Sequence, residues 1–353
     1  MPEPAAVAGQ VGWAICGTGG IANTFAQALR RVDGASLVAV SSRSQARADQ
    51  FAREQGAQRA HGSLLALLED PAVDIVYVAS PHSEHCREAL QVVEAGKHVL
   101  VEKPFGLSLS QVEPVLAAAE VRGVLVMEAL WSRFLPAYVR LRELVASGAI
   151  GPVLAVESGF GFAAPYLATH RIYDPALGGG ALLDLGIYCL DLAVQLLGPP
   201  AHVSAQAVLC PTGVDVNTVL ALRWDDGALA SAHCSFTTPL PGTARVVGTE
   251  GWIELPQTFP DTLVLHQHRG TDPTDAAVTV IDVPLGGDGL RYQVEEVHRC
   301  LAEGRTQSQT MSWQHTRDLM ATLDRARAAY GLVYPHEQSR DAISPVPAHG
   351  TDQ

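Results

Sequence analysis

The sequence predicts a two-domain α/β protein: a doubly wound parallel sheet, followed by an α/β domain with a large open, mostly antiparallel sheet. Three observations predict it. The chain has 353 residues, more than one hydrophobic core usually organises, and at ~150 residues per domain it divides into roughly two. From Val11 to Ala129, short apolar runs alternate with helical segments. Beyond Gly148 and Gly151-Pro152, longer strand-like runs follow one another instead.

The elements follow in order. VGWAIC at 11–16 is an apolar run that stops at GTGGIANTFAQAL, where glycines give way to helix formers with apolar side chains at Ile21, Phe25 and Leu29. The alternation recurs through LVAVSS (37–42), a helical SQARADQFAREQ, a short SLLALLED helix, DIVYVAS (74–80), SEHCREALQVVEAG, HVLVEK (98–103), SLSQVEPVLAAAEVR and VLVMEA (124–129). Parallel neighbours need long crossovers, and helical crossovers cover both faces of the sheet. Residues 1–10 are therefore read as a tail and 11–130 as the first domain. The second domain, 131–334, opens with a helix near 136–147. Strands are expected at 152–162, 201–210, 216–224, 228–238, 244–255, 261–268 and 276–285, with Asp225-Asp226-Gly227 as a hairpin turn. Helices are expected near 178–197, 291–303 and 308–331, and the segment 335–353 as a frayed tail.

Composition narrows the partners. Hydrophobic residues make up 47% and charged residues 17%, too apolar for an extended disordered chain. The net charge is −13 and no basic run offers phosphates a track, which argues against nucleic acid and for a small molecule. Cys16, Cys86, Cys189, Cys210, Cys234 and Cys300 form no C-x-x-C pair and read as reduced core residues. No signal peptide opens the chain and no uncharged apolar stretch reaches ~18 residues, so the expected compartment is the cytoplasm, without membrane contact.

Gly17-Thr18-Gly19-Gly20-Ile21-Ala22 is a G-x-G-x-x-A string between a strand and a helix. The first glycine permits the turn, the second lets backbone reach a pyrophosphate, and the small last residue lets helix and strand pack closely. Helix amides complete the anion site, so the expectation is a dinucleotide. An acid about 20 residues further on would hold adenosine ribose hydroxyls. This chain has Ser41-Ser42-Arg43 there, with Arg47 four residues later, and guanidinium forks with hydroxyls suit a 2′-phosphate. NADP is expected in preference to NAD.

Lys103, in Glu102-Lys103-Pro104, stands at the carboxyl end of a predicted parallel strand, the edge where doubly wound sheets bind ligands. Together with the fingerprint, SPHSEHCREAL, VEKPFG, MEALWSRFLPAY and GGGALLDLGIYCLDL, it makes residues 11 to about 255 resemble the Gfo/Idh/MocA oxidoreductases. Within them the chain most resembles the branch of dimeric dihydrodiol dehydrogenases and NADP-dependent D-xylose 1-dehydrogenases. The resemblance implies a Rossmann domain followed by an open-sheet domain, and a Lys103 close to the nicotinamide. It also implies that Ser80-Pro81-His82 neighbours the nicotinamide ribose, with His85 beside it or capping the next helix. It places Asp184 and Tyr188 on the family's D-x-x-x-H motif, where Tyr188 replaces histidine as in the dihydrodiol and xylose branch.

Four residues apart on a helix, Asp184 and Tyr188 share a face. The expected chemistry is proton removal from a substrate hydroxyl by Tyr188 during hydride transfer, with Lys103 keeping the phenol acidic. Trp131, Arg133, Phe134, Phe160, Phe162, Arg171 and Tyr173 are expected to border the substrate side. Aldoses are the first expected substrates, vicinal dihydrodiols the second, and ketosugar or dicarbonyl reduction the third. His82/His85, His266/His268 and Glu295-Glu296-Val297-His298 lack a convincing ligand set, so no metal is expected. A serine hydrolase would need a G-x-S-x-G elbow, which is absent. A noncatalytic sensor, or an enzyme with a tightly held cofactor, is the alternative class. The sheet face left bare by helices is expected to be buried in a homodimer or larger assembly.

Overall fold

The computed structural model describes residues 9–268 and 276–338. The first part runs β1 (Val11–Cys16), α1 (Gly20–Leu29), β2 (Ala35–Ser41), α2 (Gln45–Gln55), β3 (Arg59–His61), α3 (Leu64–Leu68), β4 (Ile75–Val78), α4 (His85–Glu94), β5 (His98–Glu102), α5 (Leu109–Arg122) and β6 (Val126–Ala129). Its strands form one parallel sheet in the order β3-β2-β1-β4-β5-β6. Every residue of β1 and β4 is buried, because helices cover both faces, and this is why they read as unbroken apolar runs. The strand order reverses between β1 and β4, which opens a crevice at their carboxyl ends.

The second part contains α6 (Pro136–Ala146), β7 (Val153–Gly161), α7 (Ile187–Leu197), β8 (His202–Leu209), β9 (Asp215–Arg223), β10 (Leu229–Ser235), β11 (Ala244–Gly248), β12 (Gly251–Leu255), β13 (Thr262–His268), β14 (Ala276–Asp282), α8 (Arg291–Ala302), α9 (Trp313–Tyr330) and α10 (Pro335–Gln338). The sheet order is β14-β13-β12-β11-β7-β10-β9-β8, antiparallel except between β7 and β10. On one face lie α7 and α9; Val208, Val219, Leu229, Val278 and Val280 stand exposed, and the pairing registers place them together on the other. Near the chain's end α8 and α9 return to the first sheet, where Trp13 Nε1 donates to His298 Nε2 at 3.0 Å and Trp313 Nε1 to the Val126 carbonyl at 3.0 Å.

Several expected elements change. The edge strand β3 was not anticipated, since Arg-Ala-His carries no apolar run. The single strand expected at 244–255 is a hairpin, β11 and β12, turning at Thr249-Glu250. The helix expected from 178 starts later: Gly178 (φ 76°) and Gly180 (φ 128°) thread past neighbours, and a Cβ would lie 2.8 Å from His82 Cβ at the first and 2.5 Å from Asp215 Oδ1 at the second. A π-helical turn, Leu182–Gly186, then leads into α7. Likewise α9 begins at Trp313, capped by Ser312, because Ser308 donates to Glu296 instead of joining the helix. The expected C-terminal tail is helical over Pro335–Gln338, where Glu337 accepts Arg327; residues 339–353, and 1–8 of the N-terminal tail, lie outside the described residues.

Five of the six cysteines are buried, Cys210 is intermediate, and all are free. By length and composition Pro175–Leu197 is apolar enough to cross a membrane, but 83% of its most apolar window is buried within the protein, as in a core helix.

Candidate active site

A cleft of about 1210 Å³ opens at the carboxyl ends of β1, β2, β4 and β5 and continues to the second domain. Gly17 has φ 109°, and a Cβ there would meet the Ala79 carbonyl oxygen at 2.6 Å, so the turn requires glycine. Gly19 and Gly20 have nothing within 4 Å of the Cβ position and border the cleft with Thr18 and Ile21. Helix α1 starts there without a side-chain cap or an acid in its first turn, leaving its first amides for an anion. Ala22 is fully buried beneath the helix, as close packing of helix on strand demands, and does not border the cleft. Ser41, Ser42, Arg43 and Arg47 line its far end. Because α2 begins at Gln45, Arg43 stands before the helix and only Arg47 on it. Both arginines are exposed, and neither is in an ion pair among the described residues. These groups fit a dinucleotide: an open glycine cradle, free helix amides and two uncommitted guanidinium groups.

Deeper in, Lys103 Nζ donates to the backbone carbonyl of Asp184 at 2.7 Å and to its Oδ1 at 3.0 Å. An ammonium has three N–H groups, so one is left for a ligand. Arg171 Nη2 holds Oδ2 of the same carboxylate at 3.4 Å, and His82 Nε2 lies 3.9 Å from Oδ1. Burial alone would raise the Asp184 pKa, but Lys103, then Arg171 and His82, hold it well below the usual carboxylate range. Burial opposes the Lys103 charge, yet Asp184, Tyr188 and Glu102 outweigh it and lift the lysine above its ordinary value. Lys103 Nζ sits over the Tyr188 ring, 4.9 Å from its centroid, and Trp131 Nε1 donates to Tyr188 Oη at 3.0 Å. The phenol is pushed up to about 12 by burial; Lys103 pulls it down, but by less. The sequence expectation that Lys103 keeps the phenol acidic therefore holds in the sign of its effect and fails in the net result.

Glu102 accepts the Tyr77 hydroxyl and the Lys103 amide, and burial pushes its carboxyl up to about 7 against the pull of Lys103. His82 donates through Nδ1 to the Gly178 carbonyl at 2.8 Å, and burial pushes it down to about 3, so it is neutral. His85 bridges the two strand-end turns, with Nδ1 2.7 Å from the Pro104 carbonyl and Nε2 2.9 Å from that of Ser80. Ser80, Pro81, His82, His85, Glu102 and Lys103 all line the cleft, whereas Pro104 contacts it only through His85.

On the substrate side, Trp131, Phe160 and Arg171 line the cleft as expected, and four other expected residues do not. Arg133 is buried against Asp191, its Nη1 2.7 Å from Oδ1. Phe134 is in the core, Phe162 packs on Phe236 with ring centroids 5.4 Å apart, and Tyr173 donates to the Ala164 carbonyl at 2.8 Å. The chief residue missed is Phe259, on the β12–β13 connection, which packs tilted against Trp131 at 4.3 Å and meets Tyr188 edge-on at 5.2 Å. No motif marks it; only an aromatic in a Pro-flanked loop hints at it. Leu177 and Leu185 also face the cleft, the first just before the glycine-rich string and the second inside it. Among the described residues no group of three or more His, Cys, Asp or Glu side chains is arranged to hold a metal, and His266 is instead stacked on Trp252 at 4.4 Å.

Residues 11–130 match the sequence model of an oxidoreductase family with an NAD-binding Rossmann fold, and residues 138–254 that of the Gfo/Idh/MocA C-terminal domain. Over 331 residues the chain is 37% identical to trans-1,2-dihydrobenzene-1,2-diol dehydrogenase of Danio rerio, covering 92% of this chain and 98% of that one. The Mus musculus protein of the same name is 34% identical over 331 residues, with the same 92% and 98% coverage. Among solved structures, aldose-aldose oxidoreductase from Caulobacter crescentus, complexed with glycerol, superposes with a TM-score of 0.80 at 26% identity, over 91% of this chain and 98% of that one. Levoglucosan dehydrogenase, in complex with NADH and levoglucosan, shares the fold at a TM-score of 0.83 and 19% identity, over 91% and 97%.

Proposed function

The chain belongs to the Gfo/Idh/MocA oxidoreductase family and is an NAD(P)-dependent dehydrogenase acting on hydroxyl groups, and from that premise we propose that it prefers NADP and oxidises a vicinal diol on a flat six-membered ring. The observation that carries the proposal is the meeting of Lys103 and Tyr188 at the floor of the dinucleotide cleft, under a wall of Trp131, Phe160 and Phe259. The relatives named as dihydrodiol dehydrogenases, together with that aromatic wall, put trans-dihydrodiols ahead of the aldoses that the sequence ranked first. Aldose oxidation is the second reading, favoured by the likeness to the aldose-aldose oxidoreductase. The uncommitted Arg43 and Arg47, with hydroxyls at Ser41 and Ser42 and no acid beside them, support NADP.

A bound nicotinamide supplies the hydride acceptor or donor. The protein's part is to orient the carbinol carbon and to move its hydroxyl proton through Tyr188, while the free N–H of Lys103 stabilises the developing alkoxide. With its phenol at about 12, Tyr188 is protonated at neutral pH and ready to donate to a carbonyl. Oxidation needs the phenolate, so its rate is expected to climb with pH beyond pH 9, while the reductive rate stays level over the same range. Initial-rate profiles in both directions check this, and an oxidative optimum near pH 7 would contradict it.

The direct test is spectroscopic: NADP reduction with a trans-dihydrodiol, D-xylose and D-glucose in parallel, each repeated with NAD. A rate with the dihydrodiol and NADP is expected, and joint replacement Arg43→Ala and Arg47→Ala should lower kcat/KM for NADP about 100-fold, two charge-assisted contacts' worth, with little effect on NAD. A wild-type NADP-to-NAD ratio near one would undo the cofactor assignment. The bare face carrying Val208, Val219, Leu229, Val278 and Val280 supports a homodimer formed through the second sheet, and a monomer in sedimentation would oppose it.

A further inference from the structure

We propose that Trp131 is a positioning residue for proton transfer, its indole N–H fixing the oxygen of Tyr188, and that Phe259 and Gly289 exist at their places to hold that indole. The inference rests on the reading of Tyr188 as the proton-transfer group.

Lys103 is committed elsewhere. Two of its three N–H groups go to Asp184, and Nζ lies over the face of the Tyr188 ring and not at its oxygen. The group on Oη is Trp131 Nε1 at 3.0 Å, and no other hydrogen bond to Oη is present among the described residues. An indole N–H donates and cannot accept, so the phenolic hydrogen must point away from Trp131, and Tyr188 borders the cleft. The indole thus aims the Tyr188 O–H at the place of a substrate oxygen. In the reductive direction Tyr188 gives up that proton, the same N–H then faces a phenolate, and a hydrogen bond to an ion is roughly twice as strong as one between neutral groups. An interaction that strengthens along the reaction raises kcat more than it changes KM.

The indole is held by two distant parts of the chain. Phe259 packs against it, tilted, with ring centroids 4.3 Å apart and an interplanar angle of 35°. A Cβ on Gly289 would come within 2.5 Å of Trp131 Cζ3 and 2.7 Å of Leu135 Cδ2, so glycine leaves the space the indole occupies. Gly289 does not border the cleft, so replacing it moves the indole without touching a substrate.

The test is a double-mutant cycle in the reductive direction, on the NADPH-saturated enzyme. Trp131→Phe keeps a ring and removes the N–H; kcat is expected to fall about 10- to 100-fold, with KM changed far less. In a Tyr188→Phe background the same replacement should cost almost nothing, because the atom it acts on is gone. Gly289→Ala should reproduce the loss in kcat, and it carries the test alone if Trp131→Phe fails to fold. Equal losses from Trp131→Phe in both backgrounds, a change confined to KM, or an unaffected Gly289→Ala enzyme would each overturn the inference and leave Trp131 as a wall. Near-normal turnover of Tyr188→Phe by itself would instead remove the catalytic reading on which the inference rests.

Discussion

Lys103→Met is expected to lower turnover by about 1000-fold while leaving NADP affinity within a few-fold of the native value. The side chain stays unbranched, becomes one atom shorter and loses its charge. With it go both hydrogen bonds to Asp184, the third N–H of the ammonium, and the cation over the Tyr188 ring. Positioned acid–base groups contribute ~10²–10⁴-fold and preorganised charge as much again, so the expected loss sits in the middle of that range. Asp184 would lose its largest stabilising cation and keep Arg171, more distant at 3.4 Å and half-exposed, and the weaker influence of His82. The glycine turn, the α1 amides and Arg43 and Arg47 are untouched, which is why cofactor affinity should survive. Tyr188→Phe should lose turnover by the same order, because its phenol is the proton carrier. Steady-state kcat together with a fluorescence titration of NADPH separates the two effects. Turnover within a few-fold of native in either variant would exclude that residue from proton transfer, and a collapse of NADPH binding would show that Lys103 holds cofactor instead.

What the sequence made legible follows from how locally each feature is encoded. Buried parallel strands announce themselves as unbroken apolar runs such as Val11–Cys16, and the turn after β1 needs glycine at φ 109° for a reason a reader of sequence can state. Lys103 is legible because one strand end fixes its place. By contrast, β3 is three polar-flanked residues on an edge, and β11 and β12 merge in the sequence because Thr249-Glu250 carries no Pro or Asn to mark their turn. Asp184 and Tyr188 came only through family resemblance; the physical reason for GGG before them, glycines threading past His82 and Asp215, needs the third dimension.

Long-range pairings were illegible altogether. Trp131 and Tyr188 are 57 residues apart, and Arg133 and Asp191 are 58. Arg133, expected at the substrate side, is two places from Trp131. Both lie on a short 3-10 turn, however, where side chains two residues apart project in widely different directions, so Trp131 enters the cleft and Arg133 enters the core.

That burial makes Arg133→Met the most destabilising single change expected, about 3–5 kcal/mol. The two side chains of the pair are 3% and 1% exposed, with Nη1 and Oδ1 2.7 Å apart. Burial already raises the Asp191 pKa and Arg133 is its largest opposing influence, so without Arg133 the folded-state value rises further above the unfolded one. A carboxyl raised in the folded state costs nothing while it is protonated in both states and opposes folding once the unfolded chain ionises. The damage should therefore be smallest below the unfolded value near ~4, grow as pH climbs toward the raised folded value and level off above it. Urea unfolding at pH 5 and pH 7.5 should show the larger loss at pH 7.5. Arg133→Met combined with Asp191→Leu should recover most of the stability, because replacing a buried pair by apolar side chains is often neutral, whereas orphaning one charge is not. A single variant within 1 kcal/mol of native, or a double variant no better than the single, would refute this. The consequence reaches the chemistry, because Asp191 follows Tyr188 by three residues on α7 and Arg133 follows Trp131 by two on its turn. The ion pair clamps together the two segments that carry the proton-transfer couple, so the rescued double variant, folded but without the clamp, should keep its stability and still show a reduced kcat.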